Sequence, residues 1–130
     1  MTRTFSHVTL GTQNVEGTAT FLEQSFGYRR DPVPENVERE SVWLNIGGGQ
    51  QIHIVFVEGF KVSPFEREFG RHLALYFPVD RFAWLRQKLQ DLGAELVEPL
   101  RTTPFDRIFF REPVNGYFFE VIDDVRRVEG

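Results

Sequence analysis

Cysteine is absent from the 130 residues, which excludes a disulfide scaffold, thiolate metal sites, iron–sulfur clusters and a cysteine nucleophile. Any metal must therefore be held by imidazole and carboxylate. No run approaches the ~20 apolar residues of a bilayer-spanning helix. The opening Met1-Thr2-Arg3-Thr4-Phe5-Ser6-His7 lacks the apolar stretch of a signal peptide. No membrane association is expected, and the cytoplasm is the expected location. Concentrated positive charge is missing too: 15 Lys and Arg stand against 19 Asp and Glu, a net charge of −4. Doublets such as Arg29-Arg30 and Arg126-Arg127 fall short of the basic face that binding to a phosphate backbone needs, so nucleic acid is excluded as a partner. The runs Glu38-Arg39-Glu40 and Glu66-Arg67-Glu68 alternate in sign and read as solvated surface.

What the chain does have is a normal supply of core material, 41% apolar residues with 14 Phe, enough for one globular domain. Two helices are predicted. After Asn14, a good N-cap, Val15, Ala19, Leu22 and Phe26 follow helical spacing up to Gly27. After Asp80, Phe82, Leu85, Leu89 and Leu92 do the same up to Gly93. Strand-like segments surround them: 5–10, 41–46 and 51–57 in the first half, 73–77, 107–111 and 117–122 in the second, with short edge strands near 28–31 and 95–98. Each half thus reads strand, helix, strand, strand, strand, and its last hairpin turns on glycine, at Gly47-Gly48-Gly49 or at Pro113-Val114-Asn115-Gly116. His7 and His72, Gly27 and Gly93, and Gly49 and Gly116 are separated by 65, 66 and 67 residues, so an internal repeat is expected. The expected organisation is a single domain over 1–130, with module one at 1–58, a linker at 59–70 and module two at 71–130.

The repeat gives the histidines their meaning, because a lone histidine is more often structural than a ligand. There are three. His7 and His72 hold the same place in the first strand of each half. His53 and Glu120 each lie four residues beyond the last hairpin glycine, in the closing strand. Their neighbours Val8, Leu10, Ile52, Ile54, Leu73, Leu75, Phe119 and Val121 are apolar and should face the helices, which puts His7, His53, His72 and Glu120 on the opposite face. Glu120 sits in Tyr117-Phe118-Phe119-Glu120-Val121-Ile122, where an ionised carboxylate needs a partner. An Arg–Glu pair would serve, but three imidazoles at matching positions favour a divalent cation.

Ser6-His7-Val8-Thr9-Leu10, Phe26-Gly27-Tyr28, Gln51-Ile52-His53-Ile54, Arg71-His72-Leu73-Ala74-Leu75 and the stretch from Glu112 to Glu120 together resemble the glyoxalase, bleomycin-resistance and extradiol-dioxygenase superfamily, the vicinal oxygen chelate proteins. The stretch Glu112-Pro113-Val114-Asn115-Gly116 is similar to the family's Asp-Pro-Asp-Gly-Asn hairpin, departing from it at Glu112 and Val114. The resemblance implies an α+β fold of two βαβββ modules forming a curved eight-stranded mixed sheet. It also implies a metal set of His7, His72 and Glu120, with His53 at the position that varies between members. Family members often form homodimers, sometimes by exchanging modules, so a homodimer is expected.

The chemistry implied is that of a Lewis acid: a divalent ion, Fe, Mn, Ni, Zn or Co, binding a small-molecule substrate through two adjacent oxygens and stabilising an oxyanion. The expected function is a small metal-dependent glyoxalase-like enzyme of lyase, isomerase or epimerase type, its metal held by three His and one Glu (His7, His53, His72 and Glu120), with Glu120 also the catalytic group. In glyoxalase I both closing-strand positions are carboxylates, and His53 departs from that. An extradiol-type dioxygenase and a non-catalytic bleomycin-resistance-like binder are the alternatives. Thr9, two residues after His7, Tyr76, on the predicted face of His72, and Arg107 are candidate substrate contacts. Against those roles stand strand propensity for Thr9, packing for Tyr76 and surface exposure for Arg107. Trp43 and Trp84 read as core or interface residues.

Overall fold

The computed structural model describes residues 3–123, so the Arg126-Arg127 doublet and the end of module two lie outside the described residues. The chain divides into two compact units, Met1–Lys61 and Val62–Gly130. In the first, β1 (His7–Thr12), α1 (Val15–Phe26), β2 (Arg29–Asp31), β3 (Ser41–Gly47) and β4 (Gln50–Phe56) follow one another. The second repeats the order with β5 (Leu73–Phe77), α2 (Phe82–Asp91), β6 (Glu95–Val97), β7 (Arg107–Arg111) and β8 (Phe118–Asp123). Each unit is a βαβββ module with one four-stranded mixed sheet, ordered β1-β4-β3-β2 or β5-β8-β7-β6. Its first strand runs parallel to its last, and the other pairings are antiparallel. The α+β fold of two βαβββ modules that the resemblance implies is present.

Local chemistry explains where the helices begin and end. Asn14 caps α1 by accepting from the Gly17 amide at 2.9 Å, and Gly27 ends it at φ 76°, a left-handed conformation that costs glycine nothing. The start of α2 differs from expectation. Asp80 does not cap it but sits in a 3-10 turn, Val79–Arg81, launched from Pro78, whose carbonyl accepts from the Arg81 amide at 3.0 Å. Proline fixes the entry, and the helix proper starts one residue later, without a side-chain cap.

Alternation along the strands sorts the side chains between two faces. Leu10, Leu44, Ile52 and Ile54 are fully buried in the first unit, where α1 packs on β3 and β4. Phe82, Leu85, Leu89, Phe110, Phe119 and Val121 form the core of the second. Each such side chain contributes about 1.5–3 kcal/mol of burial. Trp84 is not among them; 45% exposed, its ring runs nearly parallel to that of Phe77 at a centroid distance of 6.5 Å, with the Arg81 guanidinium 4.6 Å above it. An amphipathic period places a residue near the core, but the indole at the edge of that stripe is left in solvent.

In the run 66–68 only Arg67 is solvated surface; Glu66 is buried and Glu68 half-buried. Residues 62–70 belong to the second unit, and Glu66, 3% exposed, accepts from the Phe118 amide at 2.9 Å and from Arg71 Nη1 at 2.9 Å. Glu112, 2% exposed, accepts from the amides of Val114, Asn115 and Tyr117 at 2.7, 2.8 and 3.2 Å. Its carboxylate closes the hairpin that Gly116, at φ 91°, allows to turn. The glutamate thus supplies the acceptor that orders the hairpin leading into β8.

Candidate functional site

In the first unit, the parallel pairing of β1 with β4 sets Thr9 beside His53, which makes His7 and His53 diagonal neighbours on one face. Their rings stack at 3.9 Å with planes 12° apart. Trp43, opposite His53 on β3, stacks on it at 3.9 Å and 2°. Because both partners are nearly parallel to His53 at the same distance, the imidazole is sandwiched between them. Nε2 of His53 lies 2.7 Å from Oε1 of Gln51, while Gln51 Nε2 donates to Asp31 Oδ2 at 2.7 Å. A carboxylate only accepts, so the amide nitrogen must face Asp31 and the amide oxygen His53, and His53 carries its proton on Nε2. Burial, and then the neighbouring His7, push the His53 pKa below its ordinary 6.5, keeping the ring neutral. His7 is exposed, with Nδ1 3.0 Å from Ser6 Oγ, which leaves Nε2 for another partner.

The second unit repeats the geometry with different groups. His72 stands just before β5, and Glu120 on β8 lies beside Ala74, so these two are again diagonal neighbours. His72 Nε2 is 3.1 Å from Glu120 Oε1, and its Nδ1 is 3.2 Å from the Arg67 carbonyl. Arg107, only 6% exposed, sends Nη1 to Glu120 Oε2 at 3.1 Å and Nη2 to the Arg101 carbonyl, with Glu68 Oε2 at 3.7 Å. Its guanidinium lies over Phe109. Among the described residues its Nε has no hydrogen-bond partner. For Glu68, burial acts to raise the pKa, but the amides of Leu100 and Arg101 and the charge of Arg107 outweigh it and hold the carboxyl below its ordinary range. The Arg–Glu pair that ranked below a metal on sequence grounds therefore exists, and Arg107 is not a surface residue. It is buried because two carboxylates and a carbonyl receive its charge.

The donor chemistry of the second pair fits a cation. A carbonyl cannot donate, so His72 Nδ1 carries a hydrogen, and in the neutral ring Nε2 turns a lone pair toward a carboxylate oxygen. Two acceptors at 3.1 Å call for a proton or a metal ion between them. A backbone carbonyl behind the distal nitrogen is the usual support of a ligating imidazole. Arg107 takes only Oε2 and leaves Oε1 for a single coordinate bond. Among the described residues, no group of three or more His, Cys, Asp and Glu stands ready to hold a metal; each unit brings together two of the four expected groups.

Of the candidate substrate contacts, Thr9 is exposed on the His7 face of β1. Tyr76 on β5 is 55% exposed and not packed away as expected. Arg107 borders a cavity of about 360 Å³ in the second unit, lined also by Arg86, Val97, Arg101, Thr103 and Asp106, within the size range of small-molecule sites. Asp31, Gln51, Glu68 and the Arg67 carbonyl were not singled out from the sequence. Only Gln51 left a signal there, since it lies two residues before His53 and so shares its face.

The family model for the Glyoxalase/Bleomycin resistance protein/Dioxygenase superfamily matches residues 4–121. The chain belongs to this superfamily. Among solved structures, a variant of the fosfomycin resistance protein FosX from Listeria monocytogenes, complexed with Mn(II) and 1S,2S-dihydroxypropylphosphonic acid, aligns with a TM-score of 0.75 at 20% identity, over 95% of this chain and 93% of that one. FosX from Mesorhizobium loti aligns at 0.72 and 22%, over 93% and 91%. A glyoxalase family protein from Bacillus anthracis aligns at 0.68 and 25%, over 93% and 94%. No curated protein sequence matches significantly. The superfamily fold of paired βαβββ modules accounts for both units. Among the described residues no helix is long and apolar enough to cross a membrane.

Proposed function

We propose that this superfamily member is a metal-dependent enzyme of glyoxalase-like type, in which His7, His72 and Glu120 hold one divalent cation and His53 completes the surroundings. The observation that carries the proposal is the approach of His72 Nε2 to Glu120 Oε1 at 3.1 Å, with the distal ring nitrogen already committed to a carbonyl. Fe, Mn, Ni, Zn and Co all suit such a set. When bound, the ion would act as a Lewis acid on a substrate presenting two adjacent oxygens. Ser6 and the Arg67 carbonyl orient His7 and His72. Arg107 fixes Glu120 by one oxygen, leaving the other, which faces His72, to bind the cation and to move a proton. Thr9, Tyr76 and Arg107 would contact the substrate. The FosX complex with Mn(II) and a vicinal dihydroxy phosphonate supports this substrate class. A homodimer acting in the cytoplasm belongs to the same proposal.

A second reading, a non-catalytic ligand binder, is favoured by one observation: Arg107 already partners the Glu120 carboxylate. Elemental analysis of tag-free protein, followed by turnover assays with vicinal oxygen compounds, separates the two. Stoichiometric metal with turnover supports the enzyme. Metal-free protein that binds such a compound unchanged supports the binder.

A further inference from the structure

We propose that His53 is a positioning residue that holds the ring of His7 in place and is not itself a metal ligand. This revises the sequence expectation and rests on the reading above, that His7 ligates the cation.

Two observations carry it. The first is the stack. The lone pairs of an imidazole lie in the plane of its ring, and the planes of His7 and His53 are 12° apart with centroids 3.9 Å from each other. Parallel stacked rings aim side by side, not at a common point. A cation ~2.1 Å from a nitrogen of His7 and in its plane lies off the plane of His53 by close to the stacking distance, so the two rings cannot both ligate it. The second is the hydrogen-bond chain. Asp31 orients Gln51, Gln51 presents its oxygen, and His53 Nε2 is thereby a donor. Freeing that nitrogen would require Gln51 to turn over, setting amide oxygen against carboxylate oxygen and breaking both bonds.

The remaining environment suits a support. Trp43 backs the ring on its other face, and the ring is buried while His7 is exposed. The consequence for the site is one protein ligand fewer than the histidine count suggests, which leaves an additional coordination position for the substrate.

The test uses full-length, tag-free, nitrogen-15-labelled protein and Zn(II) as the probe. Long-range nitrogen–proton spectra report the tautomer of each histidine. His53 is expected to show a protonated Nε2 both before and after Zn(II) is added, while His7 and His72 show metal-bound nitrogens. A metal-bound shift at either nitrogen of His53 overturns the inference and leaves the metal reading standing. Failure of the wild type to bind Zn(II) sinks both. In parallel, His53→Phe keeps a ring between Trp43 and His7 and should retain most of the Zn(II) affinity, whereas His53→Ala should lose about tenfold or more, as outer-shell changes do, and His7→Ala should lose it outright. Equal losses for His53→Phe and His7→Ala would also overturn the assignment.

Discussion

Nε2 of His72 stands 3.1 Å from Oε1 of Glu120, while Nδ1 of the same ring faces the Arg67 carbonyl at 3.2 Å. The contact takes a proton or a metal ion between its two atoms, and Nε2 is the one nitrogen the ring has to offer a metal. His72→Ala should therefore abolish stoichiometric divalent metal binding and leave the fold largely intact, because His72 is part-exposed and Glu120 keeps Arg107. Elemental analysis together with circular dichroism checks both halves, and undiminished metal content would refute the ligand assignment.

Arg107 is the cation that lets Glu120 and Glu68 stay buried. Arg107→Met keeps the stem but removes the positive charge from both carboxylates, leaving among the described residues only the Leu100 and Arg101 amides for Glu68 and only His72 for Glu120. Removing one partner of a buried ion network costs about 3–5 kcal/mol. Urea denaturation should report a loss of that order. By contrast, Arg30→Ala removes the pairs with Glu16 and Glu23, which are largely solvent-accessible, and should cost under ~1 kcal/mol.

Glu112 receives three backbone amides in the turn before β8. Glu112→Ala leaves those donors without their acceptor, at a cost of about 3 kcal/mol. Since β8 carries Glu120, metal affinity should fall with it. A thermal melt and a metal titration on the same sample check the two effects together.

The pKa of His53 is lowered on folding from its ordinary 6.5, first by burial and then by His7. A group held neutral in the native state loses ground where the unfolded chain takes up the proton first, so stability should fall as the pH drops below 6.5, down to the native pKa. Glu68, held low, adds a second loss in a more acidic window, as pH falls from its ordinary 4.5 toward the native pKa. Urea midpoints compared above pH 7 and near pH 5.5 should decline in the wild type and stay flatter in His53→Phe; an equal decline in both would sink the attribution to His53.

The fold was legible because its signals are local. Asn14, Gly27 and Gly93 punctuate helices whose apolar spacing lies within one window, and the repeat of strand patterns exposes the modules. The matched places of His7 and His72, and of His53 and Glu120, were legible for the same reason. What escaped depends on distant partners. Glu66 and Glu68 look like a solvated run until the Phe118 and Leu100 amides, far along the chain, reach them. The Nε2 proton of His53 is decided by Asp31 on another strand, through Gln51. The burial of Arg107 follows from Glu120 and Glu68, which strand alternation does not reveal.

The supports described for these side chains each lie in the same unit as the side chain they hold: Trp43, Gln51 and Asp31 for His53, and Arg67, Glu68 and Arg107 for His72 and Glu120. A duplicated scaffold built this way can drift one copy at a time. An imidazole braced by an indole in one half and a carboxylate braced by a guanidinium in the other are what independent divergence from a common ancestor segment would leave behind.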